Sequence, residues 1–209
     1  MLLSDPTPLI AVPVIPVVTI ERVADAVPLA RALLAGGLSV VEVTLRTPAA
    51  LDAVRAILAE VPDVIVGVGT VLRPLDVTHA VDAGADFLVS PGTPEGLAQA
   101  LADAPVPALP GCATVSEALA LAAFGFPVLK FFPAGPSGGV PWLKAVAEPL
   151  PDIRFCPTGG VNGDNAAAYL ALRNVLAVGG SWVAPAQAIA AGDFAGITAR
   201  ARVAAALRR

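Results

Sequence analysis

One unit dominates the chain: a short β-branched run followed by an Ala/Leu-rich segment with sparse charges at helical spacing, repeated eight times. The candidate strands are Ile10–Val18, Val40–Thr44, Ile65–Gly69, Phe87–Ser90, Val106–Leu109, Val128–Phe131, Ile153–Cys156 and Val175–Val178. Their centres advance by roughly 23 residues, enough for one strand, one helix and two loops. Helical segments fall between them: Asp25–Ala35 closed by Gly36-Gly37, Pro48–Glu60 opened by Thr47, and Pro74–Ala83 closed by Gly84. Thr93-Pro94-Glu95, Thr114-Val115-Ser116-Glu117 and Asp164-Asn165 open three more. Strands buried on both faces read as unbroken apolar runs, as Val64-Ile65-Val66 and Phe87-Leu88-Val89 do. Eight parallel strands joined by right-handed crossovers close most naturally into a (β/α)8 TIM barrel, an α/β fold. An open doubly wound sheet is the alternative. It would show a Gly-rich nucleotide turn after the first strand, where this chain has Thr19-Ile20-Glu21-Arg22.

Composition narrows the partners. With 56% hydrophobic and 14% charged residues the chain requires a large apolar core, and no linker composition divides it, so residues 1–209 are read as one domain. A net charge of −4 without any Lys/Arg stripe leaves nothing to neutralise a phosphate backbone, which argues against nucleic acid. The longest charge-free stretch, Asn174 to Gly192, is broken by Gly179-Gly180-Ser181, Pro185 and Gln187, a poor membrane span. Met1 to Ile20 has no basic start and four prolines, so no export signal is expected and the cytoplasm is implied. Cys112 and Cys156 lack metal-ligand spacing and read as small buried residues.

Barrel chemistry is built at the C-terminal ends of the strands, where few polar residues interrupt the apolar pattern. Strand two supplies Glu42, Thr44 and Arg46; strand three ends in Gly69-Thr70; strand four in Ser90-Pro91; strand six carries Lys130. Strand seven runs into Thr158-Gly159-Gly160 and strand eight into Gly179-Gly180-Ser181. Lys130 is the sharpest of these, because Val128-Leu129-Lys130-Phe131-Phe132-Pro133 puts an ammonium inside an apolar strand of a chain with only two lysines. Burial disfavours the charged form and yields the neutral amine that attacks carbonyls. A structural pair with a carboxylate, or a snorkelling stem, is the bland alternative.

Glu42, Thr44 and Arg46 share parity along their strand and so share a face, as do Lys130 and Phe132. Facing inward, they bring a carboxylate, a guanidinium and an amine to one mouth. A structural ion pair between Glu42 and Arg46 is the competing reading, and Thr70 alone reads as a strand-end hydroxyl bonded to backbone. Gly159-Gly160 and Gly179-Gly180-Ser181 end adjacent strands, where bare N–H groups approach an anion, as in barrel phosphate sites. A short helix after Trp182 would add to that site. His79 is the only histidine and falls inside the third helix, which points to a structural role, as do Trp142 and Trp182. Metal chemistry would want more ligands than Glu42 at the mouth, so no metal is expected.

Six motifs in order carry a resemblance that spans most of the chain: Glu42-Val43-Thr44-Leu45-Arg46-Thr47, Gly67-Val68-Gly69-Thr70-Val71, Ser90-Pro91-Gly92, Lys130-Phe131-Phe132-Pro133-Ala134, Pro157-Thr158-Gly159-Gly160 and Gly179-Gly180-Ser181-Trp182. Together they resemble the 2-keto-3-deoxy-6-phosphogluconate aldolases, also known as 4-hydroxy-2-oxoglutarate aldolases. The resemblance implies a class I aldolase in which Lys130 forms a Schiff base and Glu42 is the general acid/base. It implies that Arg46 and Thr70 hold the pyruvate carboxylate and that Gly159, Gly160 and Ser181 hold the phosphate. Pro91, Phe132 and Gly180 complete the implied substrate set, and Thr158 is the implied discriminator between gluconate- and galactonate-derived phosphates. Val68 and Cys112 depart from the pattern and bear on the pocket wall alone. No cofactor is implied; the partners implied are a phosphorylated 2-keto-3-deoxy acid, pyruvate and two further copies of the chain in a homotrimer. A phosphosugar isomerase or epimerase, and a non-catalytic phosphosugar-binding barrel, are the rival functions on the same fold.

Overall fold

A computed structural model describes residues 12–207. The first half runs β1 (Val14–Val18), a 3-10 turn (Val23–Asp25), α1 (Ala26–Ala35), β2 (Val40–Thr44), α2 (Ala50–Glu60), β3 (Ile65–Gly69), α3 (Pro74–Asp82), β4 (Phe87–Val89) and α4 (Glu95–Ala102). The second half runs β5 (Ala108–Leu109), β6 (Gly111–Cys112), α5 (Val115–Ala123), β7 (Val128–Phe131), α6 (Gly139–Val146), β8 (Arg154–Pro157), α7 (Ala166–Leu170), β9 (Val178–Gly180), α8 (Ala186–Ala190) and α9 (Phe194–Ala205). Every strand pairing is parallel.

The strands form two ladders, β5-β4-β3-β2-β1-β9 and β6-β7-β8. Their break has a covalent cause. Pro110 lies between β5 and β6 and offers no N–H: the fifth strand ends at Leu109, as expected, and pairs with β4, while pairing resumes beyond the proline where no strand was expected, with Gly111 opposite Lys130 of β7. The Pro110 carbonyl still accepts from the Lys130 N–H at 2.9 Å, and single bridges join Phe155 to Val175 and Thr158 to Gly179 on the other side. The result is an α/β barrel of eight strand positions, related to the TIM barrels, with a seam on each side of β6-β7-β8.

Several expected boundaries move. Ile10 and Ala11 of the first expected strand lie outside the described residues, and pairing in β1 begins at Val14. The eighth strand starts three residues later and ends two residues later than Val175–Val178, because Val178, Gly179 and Gly180 are the residues that pair with β1. Thr47 does not open its helix: its hydroxyl donates to the Ile20 carbonyl at 2.5 Å, and α2 starts at Ala50. Thr114 behaves as expected. Its hydroxyl accepts from Glu117 N–H at 3.3 Å while the Glu117 carboxylate accepts from Thr114 N–H at 2.9 Å, a capping box at the start of α5.

Side-chain alternation sorts the barrel into layers. On β7 and β8, Phe131 and Phe155 point outward to α6, where Trp142 stacks on Phe131 with ring centroids 4.2 Å apart and meets Phe155 edge-on at 5.5 Å. Lys130 and Cys156, in register with one another, take the opposite, inward direction. Residues Asn174 to Gly192 hold β9 and α8, and among the described residues no helix is long and apolar enough to cross a membrane.

Candidate active site

Lys130 reaches across the barrel. Its Nζ donates to Glu42 Oε1 at 3.2 Å, and the two side chains are only 6% and 5% exposed. The pair joins β7 of one ladder to β2 of the other, so the carboxylate that parity alone offered to Arg46 belongs to Lys130 instead. Taking two charges out of water costs several kcal/mol per ion, more than an ordinary structural contact repays. Gly69 on β3 makes the arrangement possible: a Cβ there would run into the Glu42 carboxylate. The Phe132 ring lies 5.4 Å from Lys130 Nζ and offers its face to the ammonium.

Cys156 neighbours the pair. Burial pushes its thiol up to about 12, with Glu42 adding to the effect and Lys130 opposing it, and burial likewise holds Cys112 at about 12. Both cysteines are buried thiols, as the sequence implies, and neither competes with Lys130 as a nucleophile. The other lysine, Lys144, is exposed on α6, and His79 is exposed on α3.

Above the pair a cavity of about 410 Å³ opens at the C-terminal strand ends. It is lined by Arg46, Phe132, Thr158, Gly159, Gly160, Gly180 and Ser181, which brings seven of the expected residues into one wall. Lys130 and Glu42 are not among its lining residues, and Phe132, which lines the cavity and sets its ring 5.4 Å from Lys130 Nζ, is the link between them and it. The Arg46 guanidinium has no carboxylate partner among the described residues, so its charge is free for an anion. Gly159 and Gly160 both take positive φ, 89° and 81°, and their N–H groups have no acceptor among the described residues. These are properties of an anion nest. Gly179 and Gly180 also answer a packing need: a Cβ on the first would strike the Thr158 side chain, and on the second the Trp182 ring. The helix expected after Trp182 is α8, whose preceding residues Ala184 and Pro185 also line the cavity.

Thr70 and Pro91 are not part of this wall. Thr70 directly follows Gly69 and holds φ at 61°, an outlier for a β-branched residue of the kind stored at functional sites. Pro91 follows Ser90, whose hydroxyl accepts from Gly111 N–H at 3.1 Å at the break in the fifth strand. Val161, which also lines the cavity, escaped sequence reasoning, and so did Val17 and Thr19 at the end of β1. Their shared parity at a strand terminus was the available signal, masked by an apolar neighbour on each side.

A parallel α/β barrel with a lysine and a carboxylate paired beside a cavity lined by anion-binding groups has the parts that a lyase acting through a lysine Schiff base requires. The sequence matches the family described as KDPG and KHG aldolase over residues 7–200, and the chain belongs to that family. It is 50% identical over 190 residues to the KHG/KDPG aldolase of Escherichia coli K12, covering 91% of this chain and 89% of that one. Among solved structures it is similar to the KDPG aldolase of Legionella pneumophila with pyruvate captured as a covalent carbinolamine, at 43% identity and TM-score 0.95, covering 97% and 99% of the two chains. It is also similar to the 2-keto-3-deoxy-6-phosphogluconate aldolase of Zymomonas mobilis ZM4 with 3-phosphoglycerate, at 45% identity and TM-score 0.91, covering 98% and 97%.

Proposed function

We propose that the chain is a class I aldolase that cleaves 2-dehydro-3-deoxy-6-phosphogluconate to pyruvate and glyceraldehyde 3-phosphate, and also 4-hydroxy-2-oxoglutarate to pyruvate and glyoxylate. The observation that carries the reading is the buried Lys130–Glu42 hydrogen bond of 3.2 Å under the cavity. Within that pair a proton passes from Nζ to Oε1, and the neutral amine adds to the C2 ketone. Glu42, now protonated, delivers the proton to the carbinolamine hydroxyl; water leaves and an iminium forms. Glu42 then accepts the C4 hydroxyl proton as the C3–C4 electrons flow into the iminium, and the aldehyde departs. Returning that proton to C3 of the enamine and hydrolysing the imine releases pyruvate and restores Lys130.

Arg46 and Thr70 hold the carboxylate end of the substrate, with Pro91 and Phe132 shaping the floor. Gly159, Gly160, Gly180 and Ser181 hold the phosphate, and Thr158 meets the hydroxyl at C4. The positive φ and unpaired N–H groups of Gly159 and Gly160 support the phosphate assignment, and the relative from Zymomonas mobilis is described with 3-phosphoglycerate. We further propose that the chain works as one barrel domain and as a homotrimer. Likeness to the family is what supports the trimer. Sedimentation equilibrium at three chain masses is expected; a monomer would exclude it.

Borohydride trapping with pyruvate, followed by peptide mapping, tests the central claim. A reduced pyruvyl adduct on Lys130 and none on Lys144 is expected. Adduct on Lys144 alone, or no adduct, would remove the Schiff-base mechanism.

A further inference from the structure

Thr19 follows Val17 by two residues at the end of β1, and both line the cavity. Its hydroxyl oxygen is 3.0 Å from Thr44 Oγ1, and Thr44 Oγ1 is in turn 3.0 Å from the Val18 carbonyl oxygen. A hydroxyl carries one proton and a carbonyl can only accept. Thr44, which is fully buried, therefore donates to Val18, and the proton between the two hydroxyls comes from Thr19. With its own proton committed inward, Thr19 presents only lone pairs to the cavity.

That sets it apart from most of the wall. The Arg46 guanidinium and the N–H groups of Gly159 and Gly160 are donors, suited to a carboxylate and a phosphate, which bring acceptors only. An oxygen fixed as acceptor is matched instead by a substrate O–H. The Thr158 hydroxyl has the same polarity, since it donates to the Cys156 carbonyl at 3.4 Å. The proposed substrate carries two hydroxyls between ketone and phosphate, at C4 and C5, and the cavity carries two such acceptors.

β1 lies between β2, which carries Arg46 just beyond its end, and β9, with Pro16 of β1 in register with Gly180. Thr19 is thus on the strand beside the phosphate-holding glycine, and C5 is the carbon next to the one that bears the phosphate. We infer that Thr19 accepts a hydrogen bond from the C5 hydroxyl of the substrate and thereby selects a hydroxylated aldehyde partner, an assignment that rests on the aldolase reading above.

The test runs in the condensing direction, pairing pyruvate with glyceraldehyde 3-phosphate or with 3-oxopropyl phosphate, which lacks only the hydroxyl in question. The wild type should favour the hydroxylated aldehyde by about 3- to 10-fold in kcat/KM, the scale of one neutral hydrogen bond. Thr19→Val, similar in shape but unable to accept, should bring that ratio close to one, and Thr19→Ser should keep it. Pyruvate has no C5 hydroxyl, so borohydride trapping on Lys130 in each variant reports a folded site; Thr19→Ala replaces Thr19→Val if that variant fails to trap. Equal rates on the two aldehydes in the wild type, or a ratio unmoved by loss of the acceptor, would overturn the assignment. A wild type that neither traps pyruvate nor condenses either aldehyde would instead overturn the aldolase reading itself.

Discussion

A carboxylate placed 3.2 Å from Lys130 Nζ is positioned to exchange protons with it as well as to hold it. Glu42→Gln separates the two tasks, because the amide keeps the shape and can accept from Nζ but cannot carry a proton. Adduct formation with pyruvate should survive, more slowly, while turnover falls roughly 100-fold or more, the scale of a positioned acid/base. Steady-state kinetics beside borohydride trapping check this; near-normal turnover would reduce Glu42 to a structural partner. The reactive types at these positions were legible in the sequence, since an ammonium and a carboxylate inside apolar strands are costly and few. Their partnership was not. Strand parity says which residues share a face of one strand, and Arg46 shared it with Glu42, but Lys130 meets Glu42 from across the barrel, 88 residues along the chain. Thr19 stayed hidden for a similar reason: its significance lies in where its proton goes, which depends on Thr44 of the neighbouring strand.

At the scale of elements, β2, β3 and β7 have the boundaries the apolar runs suggest, because each run is flanked by turn-forming residues and buried nearly throughout. The departures cluster where the special backbone residues are. Beyond Pro110, Gly111 and Cys112 form a strand that was not expected, and Gly179-Gly180, which read as a turn, are drawn into the β1 ladder because Thr158 and Trp182 occupy the space a side chain would need. Glycine inside a strand marks close approach as often as a bend. Gly69 gives the sharpest consequence of that rule. In Gly69→Ala the added methyl must displace the Glu42 carboxylate, and a shift of about 1 Å at a catalytic group can cost about 100-fold. The expected outcome is a kcat lowered by about 10- to 100-fold with a stability loss of only about 1–3 kcal/mol, read by kinetics and a thermal melt. An unchanged kcat would mean that the carboxylate has freedom the packing denies it.

For the molecule as a whole, one cavity takes in both proposed anion sites, Arg46 just beyond β2 and Gly159, Gly160 and Ser181 beyond β8 and β9. Hydrogen bonds to a charged group contribute about 1.5–3 kcal/mol each, so two or three represent roughly 3–9 kcal/mol before ordering costs. Even the lower end is about 100-fold in kcat/KM. Binding energy from this remote group orients C2 against Lys130, so the unphosphorylated substrate should lose turnover as well as affinity. Ser181→Asp should erase the advantage of the phosphate by repulsion while pyruvate still traps on Lys130. Equal kcat/KM for the two substrates would show that these strand ends are ordinary turns.

The seam at Pro110 gives the Lys130–Glu42 bond a mechanical meaning. The six-stranded ladder carries Glu42, the proposed proton carrier, and the three-stranded ladder Lys130, the proposed nucleophile, so the pair is a tie rod between two half-shells. Backbone bonds cross both seams as well, from the Lys130 N–H to the Pro110 carbonyl on one side and through Phe155 and Thr158 on the other, so the tie depends on the closure that they maintain. On the proposed roles, catalysis in such a barrel doubles as a strain gauge on its own closure.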